Sequence, residues 1–276
     1  MKQIILCADD FGQNAEISQG ILKLVRASRI TATSCLVTTR DFWEAALQLQ
    51  SCKTLIDIGL HLNLTHGYAL GQIPGLMPDR RLPSVGKLLL SAFLHRFTVA
   101  SILAEFERQL DQFVKAFGRL PDFIDGHQHI HHFPRIRAAL QALLQKRFKD
   151  HAYYVRSVWN VQGSSWRDAK TQVIRYSGAR PLERWLTQKA IAHNTSFSGI
   201  YGFKAKTPED LEAYFQKFLS ESEDGGLIMC HPGLQGLDLS DPLYYSRQKE
   251  FDFLMSERFD ASLARNQVKL IRGMGV

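Results

Sequence analysis

The sequence predicts an α/β fold: a parallel (β/α) barrel-like sheet of about seven strands, closed or nearly closed. Two observations support this prediction. Short apolar segments alternate with helical patterns along the 276 residues, which is the arrangement of βαβ units. Most of these segments are also brief and uniformly apolar, as expected when both faces of a parallel sheet are covered. A doubly wound open sheet is the alternative.

The predicted strands are the apolar segments at residues 4–8, 33–37, 56–64, 123–125, 153–158, 227–230 and 268–271. Apolar residues at helical spacing predict helices between them. One helix is expected to end at Gly118, a second follows Pro134, and a third begins at Thr207. At that third start, Thr-Pro-Glu-Asp supplies an N-cap, a first-turn proline and acidic side chains.

Two stretches do not fit the alternation of strands and helices. Residues 67–96 contain Pro74, Pro78 and Pro83, and residues 160–201 are polar and aromatic without a clear period. Both are predicted to be loop excursions over one face of the fold, where binding loops tend to lie. No repeat or low-complexity segment is visible, and we expect a single domain over residues 1–276.

The composition excludes several classes of protein. With 45% hydrophobic residues the chain is ordinary for a globular protein, and no apolar run reaches the roughly 18–20 residues that span a bilayer. The net charge of +7 comes from scattered basic residues, without the patch that nucleic-acid binding uses. The first apolar run is too short for a signal peptide, and the cysteines form no CxxC pair. We therefore expect a cytoplasmic protein with reduced thiols, no transmembrane segment and no nucleic-acid partner.

The first motif, Asp9-Asp10-Phe11-Gly12, follows the first predicted strand directly. Two adjacent acids at the end of a buried strand cost free energy unless they are paired, and a turn there can direct both into one site. One of them could bind a metal ion while the other handles a proton. The alternative is that an aspartate caps the next helix.

Two further motifs place histidines at strand ends. In GLHLNLT at residues 59–65, His61 and Asn63 are two residues apart and face the same way on a strand. A satisfied core histidine is the alternative there. In MCHPG at residues 229–233, His231 follows an apolar run and a Pro-Gly turn holds it in place. A turn with an incidental histidine is the alternative in that case.

The fourth motif, DGHQHIHH at residues 125–132, contains four of the ten histidines. His127, His129 and His131 alternate, which places them on one side if the segment is extended. Imidazole is the commonest side-chain metal ligand, so a functional strand-end loop is favoured over a solvent-exposed polar loop. The carboxyl ends of parallel strands form the site in such folds. An aspartate and two histidines would then make a divalent-metal site, with a carboxylate and a histidine left as base and acid.

In order and spacing, ADDFG (8–12), GLHLNLT (59–65), DGHQH (125–129) and HPG (231–233) resemble the motifs of the YdjC-like carbohydrate deacetylase family. That family includes chitooligosaccharide deacetylases and deacetylases of hopanoid biosynthesis. The resemblance spans residues 1–233 and implies a barrel-like α/β fold with one divalent metal ion. The family is usually assigned Mg²⁺, and two histidine ligands suit Zn²⁺ at least as well. The match is weakest over residues 160–201, which leaves the particular sugar open.

Roles for individual residues follow from the motif match. The implied metal ligands are Asp10, His61 and His127. The implied general base and general acid are Asp9 and His231. Weaker candidates for contacts to the substrate or to these residues are Asn63, Asp125, His129 and Arg156. Arg156 is expected to pair with a carboxylate, with an ordinary surface arginine as the alternative.

The expected reaction is removal of the acetyl group from an N-acetylated amino sugar, in a saccharide or a sugar-lipid, by a metal-dependent hydrolase. One alternative is another metal-dependent hydrolase on the same barrel that cleaves phosphoesters or amides. The other is a catalytically inactive sugar-binding protein. The presence of both Asp9 and His231 argues against it, because sugar binding needs neither a base nor an acid. A homodimer is compatible with the sequence, which does not determine the oligomeric state.

Overall fold

The computed structural model describes residues 1–76, 79–163, 169–236, 238–239 and 241–273, without the side chains of residues 169–171 and 175. Its strands are β1 (Lys2–Phe11), β2 (Ala32–Cys35), β3 (Asp57–Leu62), β4 (Phe123–Gly126), β5 (Tyr154–Val155), β6 (Ala192–His193), β7 (Phe197–Ser198), β8 (Gly226–Cys230) and β9 (Val268–Leu270). Its helices are α1 (Ala15–Arg26), α2 (Phe42–Gln50), α3 (Val85–Phe93), α4 (Val99–Phe117), α5 (Ile136–Arg147), α6 (Ala169–Ile174), α7 (Arg180–Gln188), α8 (Pro208–Glu221), α9 (Tyr244–Met255) and α10 (Glu257–Arg265). A 3₁₀ segment spans His127–His132, and a π-helical segment spans Arg175–Ala179.

The strands form one parallel sheet that curls into a half-barrel. Its order is β6-β5-β4-β3-β2-β1-β8-β7, and β9 pairs with β1 off this path. Every described strand pair is parallel. An isolated parallel bridge joins Val161, after β5, to Phe197 in β7. The predicted parallel barrel-like fold is confirmed, and the barrel is not fully closed, because within the described residues the edge strands β6 and β7 do not pair with each other.

The strand count differs from the prediction, because the described part of the chain contains nine strands rather than about seven. The two additional strands, β6 and β7, are two residues each and lie within residues 160–201. Two residues are too few to show a hydrophobic period, so the sequence gives no signal for them. The prediction of a loop excursion over 160–201 is wrong after residue 169, where α6 and α7 follow. Residues 67–96 contain α3, and Pro78 lies outside the described residues.

The predicted helix ends are largely confirmed by their backbone geometry. Gly118 ends α4 with a φ of 70°, a left-handed conformation that glycine adopts without steric cost. Thr207 begins α8 in a capping box with Asp210. The helix after Pro134 begins two residues later than the proline suggests, because Arg135 has a φ of 64° and cannot belong to a right-handed helix.

The central strands are covered on both faces, as the uniformly apolar segments predict. All residues of β2, β3, β4 and β8 are buried, and so are the last eight of β1. Helix α9 packs against α1 and α8, and its side chains contact the ends of β1 and β8 through Arg247 to Asp10 and Glu250 to the His231 N–H. The four cysteines are buried and form no disulfide. Within the described residues, no helix combines the length and apolarity needed to cross a membrane.

Candidate active site

The four sequence motifs meet at the carboxyl ends of β1, β3, β4 and β8. Strand β1 pairs with β8, and β3 pairs with β4, so the ends of these strands lie at one mouth of the barrel. A cavity of about 580 Å³ opens there, and its lining includes Asp9, His127, His129, His231 and Arg247. A smaller cavity of about 350 Å³, between α5 and α7, contains none of the motif residues. The larger cavity is therefore the candidate site.

A bulge at the end of β1 brings two successive aspartates into the site. The register against β2 shifts between Ala8 and Phe11, and Asp10 has a φ of 69°. A regular strand would send adjacent side chains to opposite faces, whereas the left-handed residue re-aims the end of the strand. Asn14, rather than either aspartate, caps α1 by accepting a hydrogen bond from the Ile17 N–H. The helix-cap alternative is therefore wrong.

Asp10, His61 and His127 form a compact group of metal-ligand side chains. One ligand atom of each lies within 4.8 Å of the others. Asp10 Oδ1 is 3.0 Å from His127 Nδ1 and 3.6 Å from His61 Nε2. One carboxylate oxygen and two imidazole nitrogens are a donor set that fits a divalent cation, and three protein ligands leave positions for water and substrate.

Two of these three side chains, His61 and Asp10, are each oriented by contacts with other buried residues. His61 Nδ1 lies 2.6 Å from Asp125 Oδ1 and 2.9 Å from the Ser34 hydroxyl, which directs Nε2 toward Asp10. Asp10 Oδ2 accepts a hydrogen bond from Arg247 Nη2 at 2.9 Å. Outer partners of this kind fix the orientation of ligands in protein metal sites.

Charge pairing outweighs burial for the acids of this group. Burial by itself raises the pKa of Asp10, yet Arg247 and His127 hold that pKa well below its usual range. Burial likewise raises the pKa of Asp125, and the Arg156 guanidinium together with His61 lowers it overall. Asp10 and Asp125 are therefore carboxylates at neutral pH. Burial lowers the pKa of His61, but Asp125 and Asp10 raise it to about 10.

Asp9 belongs to an adjoining buried group centred on Arg156. Arg156 donates from Nη1 to Asp9 Oδ2 at 2.7 Å and from Nη2 to Asp9 Oδ1 at 2.6 Å. Its Nη2 is also 2.6 Å from Asp125 Oδ2 and donates to Cys7 Sγ at 3.1 Å. Arg156 is fully buried, so it is not a surface arginine. Because Asp125 also contacts His61, the two groups are continuous.

The histidines after β4 do not alternate along an extended segment. Gln128 and His129 have φ values of 53° and 61° within the 3₁₀ segment, so the prediction of one shared side is wrong. His127 reaches Asp10, whereas His131 Nε2 contacts the Arg156 carbonyl oxygen at 3.0 Å. The alternation rule applies only to extended backbone, and here the chain turns toward α5 instead.

His129 and Asn63 occupy different surroundings from those expected. His129 lines the cavity, and its ring centroid is 5.4 Å from that of Phe197. Asn63 lies just beyond β3, and its Oδ1 accepts hydrogen bonds from the backbone N–H groups of Thr65 and His66 at 3.0 and 2.9 Å. The expectation that Asn63 continues the strand face of His61 is wrong, because β3 ends first and Asn63 builds the turn that brings His66 into the cavity lining.

His231 lines the cavity directly after β8. Its Nε2 is 4.0 Å from Asp9 Oδ2, and its ring packs against Phe203 with centroids 5.3 Å apart and planes at 87°. Its backbone N–H donates a hydrogen bond to Glu250 Oε2 at 2.5 Å. Asp9 and His231 are therefore neighbours in the cavity lining.

Sequence reasoning missed the residues that support the site from outside the four motifs, namely Ser34, Tyr201, Asp241, Arg247 and Glu250. Arg247 and Glu250 are three residues apart on α9, which places them on the same side of the helix. Both are buried. Charged residues at helical spacing ordinarily indicate a solvated face, so the sequence carries no signal for their role.

A family model and two known proteins match most of this chain in sequence. The family model described as YdjC-like protein matches residues 3–265. A chitooligosaccharide deacetylase of Serratia marcescens is 28% identical over 270 residues, which covers 95% of this chain and 94% of that protein. One from Klebsiella pneumoniae subsp. pneumoniae is 28% identical over 269 residues, with 97% and 96% covered.

Among solved structures, a candidate cellobiose-phosphate cleavage protein from Enterococcus faecalis V583 resembles this chain with a TM-score of 0.74 and 22% identity. The alignment covers 98% of this chain and 97% of that one. The likeness extends over the whole barrel and shows that the two proteins share a fold.

Proposed function

The chain belongs to the YdjC-like protein family, and on that premise we propose that it is a metal-dependent carbohydrate deacetylase that removes the acetyl group from N-acetylated amino sugars. Two relatives that match nearly the whole chain are chitooligosaccharide deacetylases. The observation that carries the proposal is the grouping of Asp10, His61 and His127 next to a cavity lined by Asp9 and His231. The proposed substrate is an N-acetylated saccharide or sugar-lipid.

We assign Asp10, His61 and His127 as the ligands of one divalent cation. When bound, such a cation supplies Lewis-acid polarisation of the acetamide carbonyl. The low pKa of Asp10 keeps a charged oxygen available for it. The contact between His61 Nδ1 and Asp125 leaves Nε2 as the coordinating nitrogen, which would release its proton when a cation binds. The donor set suits Zn²⁺ at least as well as the Mg²⁺ expected from the family.

Asp9 is the proposed general base. Its side chain lines the cavity, where a carboxylate oxygen can accept the proton of the attacking water. The two hydrogen bonds from Arg156 hold the carboxylate plane in a fixed orientation. A base that is already oriented toward the water does not lose conformational entropy when the proton is transferred. Arg156 and Asp125 therefore act in this proposal as supports for Asp9 and His61.

His231 is the proposed general acid, with its proton at Nε2. An amine is a poor leaving group until it is protonated, so a positioned acid accelerates the breakdown of the tetrahedral species. The 4.0 Å between His231 Nε2 and Asp9 Oδ2 supports the proposal that the two side chains act on the same reacting group. His129, which lines the cavity, is a proposed substrate contact, and Asn63 supports the turn that carries His66.

Acetate release from a panel of N-acetylated sugars tests this proposal. The enzyme is stripped of metal and then supplied separately with Mg²⁺, Zn²⁺, Mn²⁺ or Co²⁺. We expect acetate release with at least one cation and none without. Phosphate release from phosphorylated sugars is measured in parallel. Phosphate release without acetate release would replace the proposal with a phosphoesterase, and sugar binding without either product would replace it with an inactive binding protein.

We also propose that residues 1–276 act as one domain and that the protein is cytoplasmic; a homodimer is compatible with the sequence. The four buried cysteines without a disulfide support a reducing compartment. Size-exclusion chromatography with light scattering tests the oligomeric state, and a monomeric mass would exclude a homodimer.

A further inference from the structure

Glu250 is a fully buried carboxylate on α9 that touches the backbone of His231. Its Oε2 accepts a hydrogen bond from the His231 N–H, and its Oε1 accepts one from the Tyr201 hydroxyl, both at 2.5 Å. Among the described residues, no arginine or lysine forms an ion pair with it. Arg247 on the same helix and Asp9, Tyr201 and Cys230 on neighbouring parts of the chain are the charged and titratable groups that act on it, and His231 acts through its backbone N–H.

Keeping a carboxylate at this position costs free energy. A buried acid without a paired cation is unfavourable, and burial raises the pKa of Glu250 to about 7. An apolar side chain would avoid that cost. What Glu250 provides in return is two acceptor oxygens aimed at two donors, the backbone N–H of His231 and the hydroxyl of Tyr201.

The bond to His231 fixes the backbone where β8 ends. His231 follows the last residue of the strand, and Pro232 has no N–H to donate. A buried N–H needs an acceptor, and Glu250 supplies it. The same helix also fixes the neighbour of the imidazole, because Ser246 Oγ donates to the Phe203 carbonyl at 2.8 Å and the Phe203 ring packs against His231. Helix α9 thus holds both the backbone of His231 and the ring beside it.

We propose that Glu250 is a positioning residue for His231, one that holds the imidazole at its place beside Asp9 without itself touching the substrate. This inference rests on the proposed function in so far as His231 is the general acid. The position of His231 is therefore also measured by NMR, which does not depend on turnover.

The kinetic test uses three variants. Glu250→Leu removes both acceptors at similar volume, Glu250→Gln keeps an acceptor for the His231 N–H, and Tyr201→Phe removes only the second donor. We expect Glu250→Leu to lower kcat for acetate release roughly 10- to 100-fold, a part of what a positioned acid provides, with KM and metal content unchanged. The kcat of Glu250→Gln should be about tenfold higher than that of Glu250→Leu. The kcat of Tyr201→Phe should lie between those of these two variants. Wild-type kcat in a folded Glu250→Leu overturns the inference.

A His231→Ala background separates positioning from general damage to the fold. If Glu250 acts through His231, Glu250→Leu causes no further loss of kcat once the imidazole is gone, which is the signature of coupled residues in a double-mutant cycle. A further loss as large as that in the wild-type background overturns the inference. Should Glu250→Leu fail to fold, Tyr201→Phe takes its place in both backgrounds with the same two outcomes.

The second test follows the His231 ring signal in protein with ¹³C-labelled histidine, assigned by its absence in His231→Ala. Because the ring packs edge-to-face on Phe203, its shift differs from that of a free imidazole. We expect Glu250→Leu to move this signal and Glu250→Gln to leave it near the wild-type position. Glu105→Leu is the matched control: Glu105 is equally buried but accepts from the backbone of Leu70 and Gly71, so its loss should leave the signal in place.

The two tests distinguish a failure of the positioning role of Glu250 from a failure of the proposed deacetylase function. An unmoved His231 signal in folded Glu250→Leu overturns the positioning role whatever the activity. A moved signal, in an enzyme that releases no acetate from any sugar with any of the four cations, supports the positioning role while the proposed deacetylase function fails.

Discussion

The Asp10 carboxylate is divided between two partners, because Arg247 Nη2 donates to Oδ2 at 2.9 Å while Oδ1 faces the imidazoles of His127 and His61. Arg247 is itself anchored by Asp241. Asp10 therefore presents one oxygen, and only one, to the space between the two histidines. Since Asp9 is turned instead toward Arg156, the adjacent aspartates are expected to differ sharply when each is changed.

We predict that His61→Ala and His127→Ala each lose tight metal binding while the fold survives. Each removes one of three protein ligands, which should weaken affinity by more than the roughly 10- to 100-fold that loss of an outer partner costs. Metal content after dialysis, with circular dichroism to verify folding, decides the outcome. Full occupancy in both variants would remove these histidines from the ligand set.

The adjacent acids should separate metal binding from turnover. Asp10→Asn should lose metal, because it replaces the only charged ligand. Asp9→Asn should keep the metal and lower kcat roughly 10²–10⁴-fold, because an amide cannot accept the proton of water. Metal analysis and acetate release are measured on the same samples. Near-normal turnover in metal-loaded Asp9→Asn would show that another group is the base.

His129 should matter less than His127 for the cation. His127 contacts Asp10, whereas His129 lines the cavity and packs on Phe197. We expect His129→Ala to keep its metal and to lose activity mainly through a higher KM. Isothermal titration with Zn²⁺ and steady-state kinetics provide the two readouts. If His129→Ala loses the metal and His127→Ala keeps it, the assignment of ligands within this segment is reversed.

The stability of the protein should depend on pH through Glu250. The pKa of this carboxyl is raised from 4.5 to about 7 on folding. The folded state then holds the proton more tightly than the unfolded state, so this residue's contribution to stability falls as pH rises from about 4.5 to about 7 and is constant above. Glu250→Gln removes that dependence.

We therefore expect Glu250→Gln to gain stability relative to wild type as pH rises, by up to the order of 3 kcal/mol above pH 7. Urea unfolding of metal-free protein at pH 5, 6, 7 and 8 measures the difference. A difference between variant and wild type that stays constant from pH 5 to pH 8 would contradict the raised pKa. The same variant keeps an acceptor for His231, so it is expected both to gain stability and to retain more turnover than Glu250→Leu.

Local pattern was sufficient for the elements that frame the site. The uniformly apolar runs indicated β1, β3, β4 and β8, because a strand covered on both faces needs apolar residues at every position. Gly118 indicates the end of α4 and Thr207 the start of α8, because the hydrogen bonds of a helix cap join residues that are close in sequence. The parallel order of these strands then placed four polar strand ends at one mouth, which is why the motifs could be grouped from the sequence alone.

Two local features of the site escaped the pattern rules because they break the regular backbone. Asp10 has a left-handed φ within a strand bulge, and Gln128 and His129 have left-handed φ values in the segment that was expected to be extended. Aspartate, glutamine and histidine tolerate but do not require such values, so the residue types alone do not reveal them. The structure shows that the bulge brings both Asp9 and Asp10 into the site, although adjacent side chains of a regular strand point to opposite faces.

The partners of the motif residues were decided by tertiary structure only. Arg247 lies 237 residues from Asp10, and Arg156 lies 147 residues from Asp9. A hydrogen bond over such a separation depends on where whole helices and strands pack, and no propensity or period records it. The sequence by itself determined the chemistry available at the strand ends. The positions of Arg247 on α9 and of Arg156 after β5 decided which carboxylate faces the histidines and which faces a guanidinium.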